Sequence, residues 1–297
     1  MRVIETVAEL QALADRERAA GAKIALVPTM GALHAGHLSL VEQARKRADR
    51  VWVSIFVNPT QFDDAADLER YPRTREEDLQ CCRDAGVDAV FAPECDEMIR
   101  PASQIWIEPG EPARPLCGRS RPGHFRAVAT IVAKLLLAAK PHLAVFGEKD
   151  YQQLAVIRGM VRDLGFDVEI VGAPIAREAD GLALSSRNVQ LHPEARRQAV
   201  ALVRALDAAE SAVASGELGV ARLLELASAQ IRKAPLARID YVELREADSL
   251  GPVREKLDVP ALLALAVWFD ARDRGASEAV RLIDNRVLAP RRASSPR

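Results

Sequence analysis

The 297-residue sequence predicts an α/β protein: a Rossmann-like, doubly wound parallel sheet followed by a smaller C-terminal α+β domain. Three observations carry that prediction. Short apolar runs alternate with segments of helical period through the first half. Beyond Gly172-Ala173-Pro174 the alternation gives way to Ala-, Leu- and Arg-rich helical stretches and then strands. A turn rich in glycine and histidine separates the first apolar run from the helix after it.

Taken in order, Lys23–Val27 (KIALV) reads as a buried strand that ends at Pro28. Val51–Val57 (VWVSIFV) is the second, closed by Asn58-Pro59. Asp88–Phe91, Leu143–Phe146 and Asp167–Val171 follow as the third, fourth and fifth. Helices are expected at about His37–Ala48, Arg75–Ala85 and Asp150–Leu164. In Arg126–Ala139 the side chains of Val128, Ile131, Val132, Leu135 and Leu136 share one helix face. These elements define an expected first domain over residues 1–173. For residues 174–289 the expectation is helices at Pro193–Ser215 and Gly219–Lys233, then strands at Ile239–Leu244, Ala261–Phe269 and Val280–Ile283. Residues 290–297 are Pro, Arg, Ala and Ser with almost nothing to bury, and disorder is expected there.

Composition narrows the function classes. With 41 basic against 42 acidic side chains the net charge is -1, which removes any bulk argument for nucleic acid or an anionic membrane as partner. No apolar stretch reaches the length of a membrane span, and Met1–Glu5 has no basic region followed by an apolar one. Cys81, Cys82, Cys95 and Cys117 form no C-x-x-C pair. They read as buried, inert thiols in a cytoplasmic protein.

The chemistry concentrates in Pro28-Thr29-Met30-Gly31-Ala32-Leu33-His34-Ala35-Gly36-His37. A strand-to-helix turn in an open α/β sheet offers free N–H groups and the positive end of a helix dipole to a phosphate. Gly31 and Gly36 would let the backbone approach a ligand. His34 and His37, three apart, face the same side of a first helical turn, where two imidazoles can donate to phosphate oxygens. The segment nearly matches a Walker A loop, but His37 stands where the Lys would be, and G-x-G-x-x-G is absent. A kinase-type P-loop and a nicotinamide enzyme are thereby disfavoured. From 5 His and 16 Gly in 297 residues, the chance expectation for His-x-Gly-His is roughly 0.005. Two weaker elements accompany it. Leu184-Ser185-Ser186-Arg187-Asn188 puts two hydroxyls and a guanidinium in a row, a set suited to a triphosphate. Gly147-Glu148-Lys149-Asp150 follows a strand directly, which puts Lys149 at the carboxyl end of the sheet.

His-x-Gly-His with a downstream Ser-Ser-Arg resembles the nucleotidyltransferase superfamily. Val27–His37 (VPTMGALHAGH), Ser54–Phe62 (SIFVNPTQF), Tyr71–Thr74 (YPRT), Arg121–Phe125 (RPGHF), Phe146–Gln153 (FGEKDYQQ) and Asp180–Asn188 (DGLALSSRN) are similar, in order and spacing, to the pantothenate synthetase family, over about residues 1–286. The resemblance implies a cytoplasmic, homodimeric ligase that condenses pantoate with β-alanine through a pantoyl-adenylate, using ATP and Mg²⁺. It implies ATP binding by Met30, Gly31, His34, Gly36, His37, Gly147, Lys149, Asp150, Ala176, Leu184, Ser185, Ser186 and Arg187. It implies catalytic parts for His37, His34, Lys149 and Arg187, with no protein ligand set for a metal. Pantoate would be held by Gln61, Gln153 and Asn58, with Ile131, Val132 and Leu135 walling its methyls. The second domain would act as a lid. Three departures from the family pattern bear on substrate affinity: Ala127 stands where Gly is usual, Leu116-Cys117 replaces Leu-Glu, and Ile99-Arg100-Pro101 replaces a Tyr-Pro turn. The competing expectations are adenylation of a different small acid, or a nucleotide-binding protein without activity.

Overall fold

The computed structural model describes residues 1–62, 65–270 and 279–290. Residues 291–297, most of the expected disordered tail, lie outside the described residues. The chain forms two compact units, Met1–Ala176 and Arg177–Arg297.

The first unit opens with β1 (Arg2–Ile4), α1 (Val7–Ala19), β2 (Ile24–Thr29), α2 (Ala35–Arg45) and β3 (Arg50–Ile55). A 3₁₀ turn at Pro59–Gln61 leads to α3 (Ala65–Arg70), α4 (Arg75–Asp84), β4 (Ala89–Phe91) and α5 (Cys95–Met98). Then come α6 (Cys117–Ser120), α7 (His124–Ala139), β5 (Leu143–Gly147), α8 (Tyr151–Asp163) and β6 (Glu169–Ala173). The six strands are parallel in the order β1-β4-β3-β2-β5-β6. Strand residues alternate between two cores. Ile24, Leu26, Trp52, Phe91 and Phe146 pack against α1, α7 and α8. Ala25, Val27, Val51, Val53, Val90 and Val145 pack against α2 and α4. Burial on both faces is why these strands read as continuous apolar runs.

Five elements of this unit lie outside the sequence-based expectation: β1, α1 and the short helices α3, α5 and α6. β1 is three residues long and largely exposed, and it exists through its register with β4, Arg2 opposite Ala89. α1 has a weak apolar stripe but a good start, since Thr6 Oγ1 accepts from the Glu9 N–H at 3.3 Å. The expected end of β2 at Pro28 is also corrected, because the strand pairs with β3 as far as Thr29 opposite Ile55. Ile24 turns its carbonyl to His142 on the β5 side. Pro28, in step with Ile24, would turn its missing N–H the same way, and pairing with β5 has already ended at Leu26 opposite Ala144.

The second unit contains α9 (Pro193–Gln198), α10 (Ala201–Ala214) and α11 (Val220–Arg232), then β7 (Ala237–Glu246), β8 (Ala261–Phe269) and β9 (Val280–Leu288). The strands form an antiparallel sheet in the order β7-β8-β9. Leu202, Leu206, Leu223 and Ile231 of the helices share one core with Leu263, Leu265 and Val267 of the central strand. The single helix expected over Pro193–Ser215 is two, broken after Gln198. The Gln198 side chain caps elsewhere, accepting the Leu236 N–H at 2.9 Å.

Among the cysteines, Cys82 is buried, Cys81 and Cys117 are half-buried and Cys95 is exposed, which corrects the expectation of four buried thiols. Burial, then the Asp78 carboxylate, push the Cys82 thiol up to about 12. No helix among the described residues is long and apolar enough to cross a membrane.

Candidate active site

From β2 the chain steps outward to β3 and β4, then returns to β5 on the other flank of β2. Strands that diverge in this way leave a crevice at their carboxyl ends, where ligands of such sheets bind. Here the crevice opens between β2 and β5, because their ladder stops at Leu26 and Ala144 while both strands continue. The turn Met30–His34 leaves one rim, and Gly147–Asp150 leaves the other.

The turn after β2 is held from below. Thr29 Oγ1 donates to the Ser54 carbonyl at 2.7 Å and accepts the Gly31 N–H at 3.2 Å. Gly31 and Ala32 are both left-handed, with φ +82° and +50°. That pair of conformations turns successive N–H groups toward one point, and the Asp78 carboxylate of α4 occupies it. Its Oδ2 accepts from Ala32 at 2.9 Å and its Oδ1 from Leu33 at 2.7 Å. A Cβ on Gly31 would stand 2.8 Å from Asp78 Oδ2. Gly31 is therefore required by this carboxylate as well as by its φ, and not only by ligand approach as the sequence suggested.

His34 is the N-cap of α2. Its Nδ1 accepts the Gly36 N–H at 3.1 Å, and His37 Nδ1 accepts the His34 N–H at 3.3 Å. Both Nδ1 atoms are acceptors, so each neutral ring carries its proton on Nε2. The ring centroids are 4.1 Å apart. Burial and then the Lys149 charge lower the His34 pKa from its ordinary value. Burial, His34 and Lys149, in that order, lower that of half-buried His37 to about 3. The Lys149 ammonium, 3.7 Å from Asp150 Oδ2, is thus close enough to act on both imidazoles. The arrangement presents two neutral N–H donors and a cation, a set that can neutralise charge gathering on phosphate oxygens. Gly147 has φ -75° and room for a Cβ, so its own geometry does not demand glycine.

Two of the expected substrate residues, Gln61 and Asn58, come together near Met30. The Gln61 amide donates to Met30 Sδ at 2.9 Å, and its oxygen accepts from Asn58 Nδ2 at 3.2 Å. The Gln61 carbonyl accepts from Arg121 Nη2 at 2.8 Å and lies 3.0 Å from His124 Nδ1. Gln153, on the first turn of α8, is half-buried, and no hydrogen bond ties its amide to a described residue. Its neighbour Gln152 is buried and fully committed. It accepts the Cys117 N–H at 3.0 Å and donates to the carbonyls of Pro112 and Pro115 at 3.0 and 2.6 Å. Ile131, Val132 and Leu135 are 5% exposed or less and belong to the core between α7 and the sheet. Ala127 lies inside α7, where φ is helical, so the departure from glycine there sets no backbone strain. The left-handed residue of this stretch is Gly123, at φ +84°. Leu116 takes φ +54° in a buried position, held by the Gln152 staple.

Ala176 is the last residue of the first unit. Leu184, Ser185, Ser186 and Arg187 belong to the second, on a 3₁₀ turn that Ser185 caps by accepting the Arg187 N–H at 3.2 Å. Charge fixes the loop that precedes it. Arg177 forks onto Asp284 at 2.7 and 2.9 Å, and Arg196 bridges Glu178 and Asp180, each at 2.7 Å. The hydrogen bond from Arg196 holds the Asp180 carboxyl below its usual range. Asp78, Gln152 and Arg196 were missed from the sequence because nothing local separates them from exposed helix residues. The only signal near Asp78 was the YPRT motif before it, and a motif names no spatial partner.

A family model described as Pantoate-beta-alanine ligase matches residues 2–287. The chain is 50% identical over 288 residues to the pantothenate synthetase of Geobacter sulfurreducens, covering 97% of this chain and 99% of that one. To the pantothenate synthetase of Solidesulfovibrio magneticus it is 50% identical over 290 residues, at 97% and 99% coverage. Among solved structures, pantothenate synthetase from Thermus thermophilus superposes with TM-score 0.89 at 45% identity, covering 98% of this chain and 100% of that one. Pantoate-beta-alanine ligase from Francisella tularensis, complexed with Beta-gamma ATP and Beta-alanine, gives TM-score 0.76 at 32% identity, covering 97% of each chain.

Proposed function

The chain belongs to the pantoate–β-alanine ligase family, and from that membership we propose how its own residues carry the reaction. The protein is a ligase that joins pantoate to β-alanine at the expense of ATP. In the proposed first step a pantoate carboxylate oxygen attacks the α-phosphorus of ATP in line. A new P–O bond forms, the α–β bridge breaks, and pyrophosphate leaves. The carboxylate is itself the nucleophile, so the protein's task is positioning and charge neutralisation. The Nε2–H groups of His34 and His37 and the Lys149 ammonium would face the phosphates, together with Ser185, Ser186 and Arg187. Met30, Gly31, Gly36, Gly147, Asp150, Ala176 and Leu184 would complete the nucleotide site. The reading is supported by one observation above others: two fixed N–H donors and a cation at the carboxyl ends of β2 and β5.

Gln61 and Gln153 would hold the hydroxyls and carboxylate of pantoate, with Asn58 setting the Gln61 amide. Ile131, Val132 and Leu135 would back the methyl groups through the core rather than through open surface. In the second step the β-alanine amine attacks the activated carbonyl, a C–N bond forms as the acyl C–O bond breaks, the nitrogen gives up a proton to solvent, and AMP departs with the bridging oxygen. A mixed anhydride hydrolyses readily, so the second unit is read as a lid that excludes water. Magnesium would arrive with the nucleotide, held by phosphate oxygens and water. Its chemistry there is to offset phosphate charge. A homodimer and a cytoplasmic location belong to the same reading, and light scattering on the purified protein tests the first.

Pyrophosphate–ATP exchange with pantoate as the sole acid, and β-alanine omitted, tests the adenylation step. Exchange that requires pantoate and fails with lactate or valine supports it. ATP binding without exchange would favour a different acceptor acid or an inactive site.

A further inference from the structure

We propose that Asp78 is a positioning residue that sets the geometry of the Gly31–His34 turn for ATP, an inference that rests on reading this turn as the phosphate loop. The carboxylate is 2% exposed, and no Lys, Arg or His forms an ion pair with it among the described residues. A buried charge needs compensation, and here the turn supplies it. Asp78 accepts from the Ala32 and Leu33 N–H groups at 2.9 and 2.7 Å and from Thr74 Oγ1 at 3.2 Å. Carboxylate and turn therefore fix each other. Two successive left-handed residues, one of them an alanine, form a costly conformation that persists only when its surroundings enforce it. The enforcing group comes from α4, at 45 and 46 positions' separation along the chain.

What the clamp controls lies one residue further on. Leu33 leads into His34, whose ring caps α2 and whose N–H holds His37 Nδ1. A shift in the turn would move both imidazoles together, and transition-state donors lose effect when displaced by as little as about 1 Å. Gly31 fits the same account from the other side, because a Cβ there would stand 2.8 Å from Asp78 Oδ2 and 3.2 Å from Ile55 Cγ2.

The test is pantoate-dependent pyrophosphate–ATP exchange on Asp78→Asn, Gly31→Ala and their combination, with thermal melts of each. Asparagine keeps the shape but offers one oxygen, so it turns an amide N–H against one of the two backbone donors. The expected result is an apparent KM for ATP raised about 10-fold or more and a lowered maximal exchange rate, with KM for pantoate within about 2-fold. Gly31→Ala should reproduce that pattern, and the double variant should fall short of the product of the two. An unchanged KM for ATP together with an unchanged rate per folded molecule in both single variants would overturn the proposal, and a fall in rate no larger than the loss of folded fraction seen in the melts counts as unchanged. If Asp78→Asn fails to fold, Gly31→Ala, which retains the carboxylate, carries the same thresholds. His37→Ala separates the two layers of the argument. Lost exchange there with normal behaviour in Asp78→Asn and Gly31→Ala refutes the positioning role alone. Normal exchange in all three refutes the phosphate-loop reading and the positioning role with it.

Discussion

At the N-terminus of α2 each histidine commits Nδ1 to a backbone N–H, which fixes its tautomer before a ligand arrives. Burial keeps His37 neutral, so it acts as an N–H donor rather than as an imidazolium. His37→Ala should cut the adenylation rate by roughly 10²–10³ with the fold intact, the scale of one lost preorganised donor. Full exchange activity in that variant would remove His37 from the mechanism. The lowered pKa also sets a stability trend. Between 6.5 and about 3 the unfolded chain binds a proton at this site that the folded chain does not. Stability from this source is therefore complete above about pH 6.5 and is lost as pH falls toward about 3. His37→Gln should flatten the acid limb of Tm against pH in that window. Parallel acid limbs in the two proteins would assign the loss to other groups.

Among the elements, α8 shows how two adjacent glutamines take opposite parts. A helix turns about 100° per residue, so Gln152 and Gln153 point to different sides of α8. Gln152 staples Pro112, Pro115 and Cys117 to the first turn of α8 and so maintains Leu116 in its left-handed conformation. Gln152→Leu, similar in volume, should cost about 1–3 kcal/mol, because it strands two carbonyls and an N–H. Thermal melts and faster proteolytic nicking within residues 110–120 would register the loss. A melt equal to that of the parent protein, with no new cleavage, would show that the loop does not depend on the staple.

On the scale of the molecule, each unit is stabilised by its own core, two layers around the parallel sheet and one beneath the antiparallel sheet. Leu223 of α11 is fully buried in the second unit's core. Leu223→Ala should therefore cost about 2–5 kcal/mol, felt first in that unit. Trp52 reports on the first unit and Trp268 on the second, each in a background where the other tryptophans are Phe. The variant should lower the transition seen by Trp268 more than that seen by Trp52. Equal shifts would mean that the two cores unfold as one.

Local signals were legible without coordinates. Apolar runs buried on both faces marked β2 through β5, and the spacing of His34 and His37 marked the turn, because each depends on residues a few positions apart. The family resemblance, carried by several motifs in order, agrees with the match over residues 2–287. The tertiary structure alone decided what depends on distant partners. β1 is a strand only because β4 is beside it, and Pro28 sits within a strand because pairing with β5 stops two residues earlier. Asp78 reads as one of three acids in the first turn of a helix, and only the fold brings it beneath the turn whose N–H groups it accepts. Sequence periodicity reports which face of an element is buried. It carries no term for the group that a buried side chain meets there, and that meeting is what shapes this site.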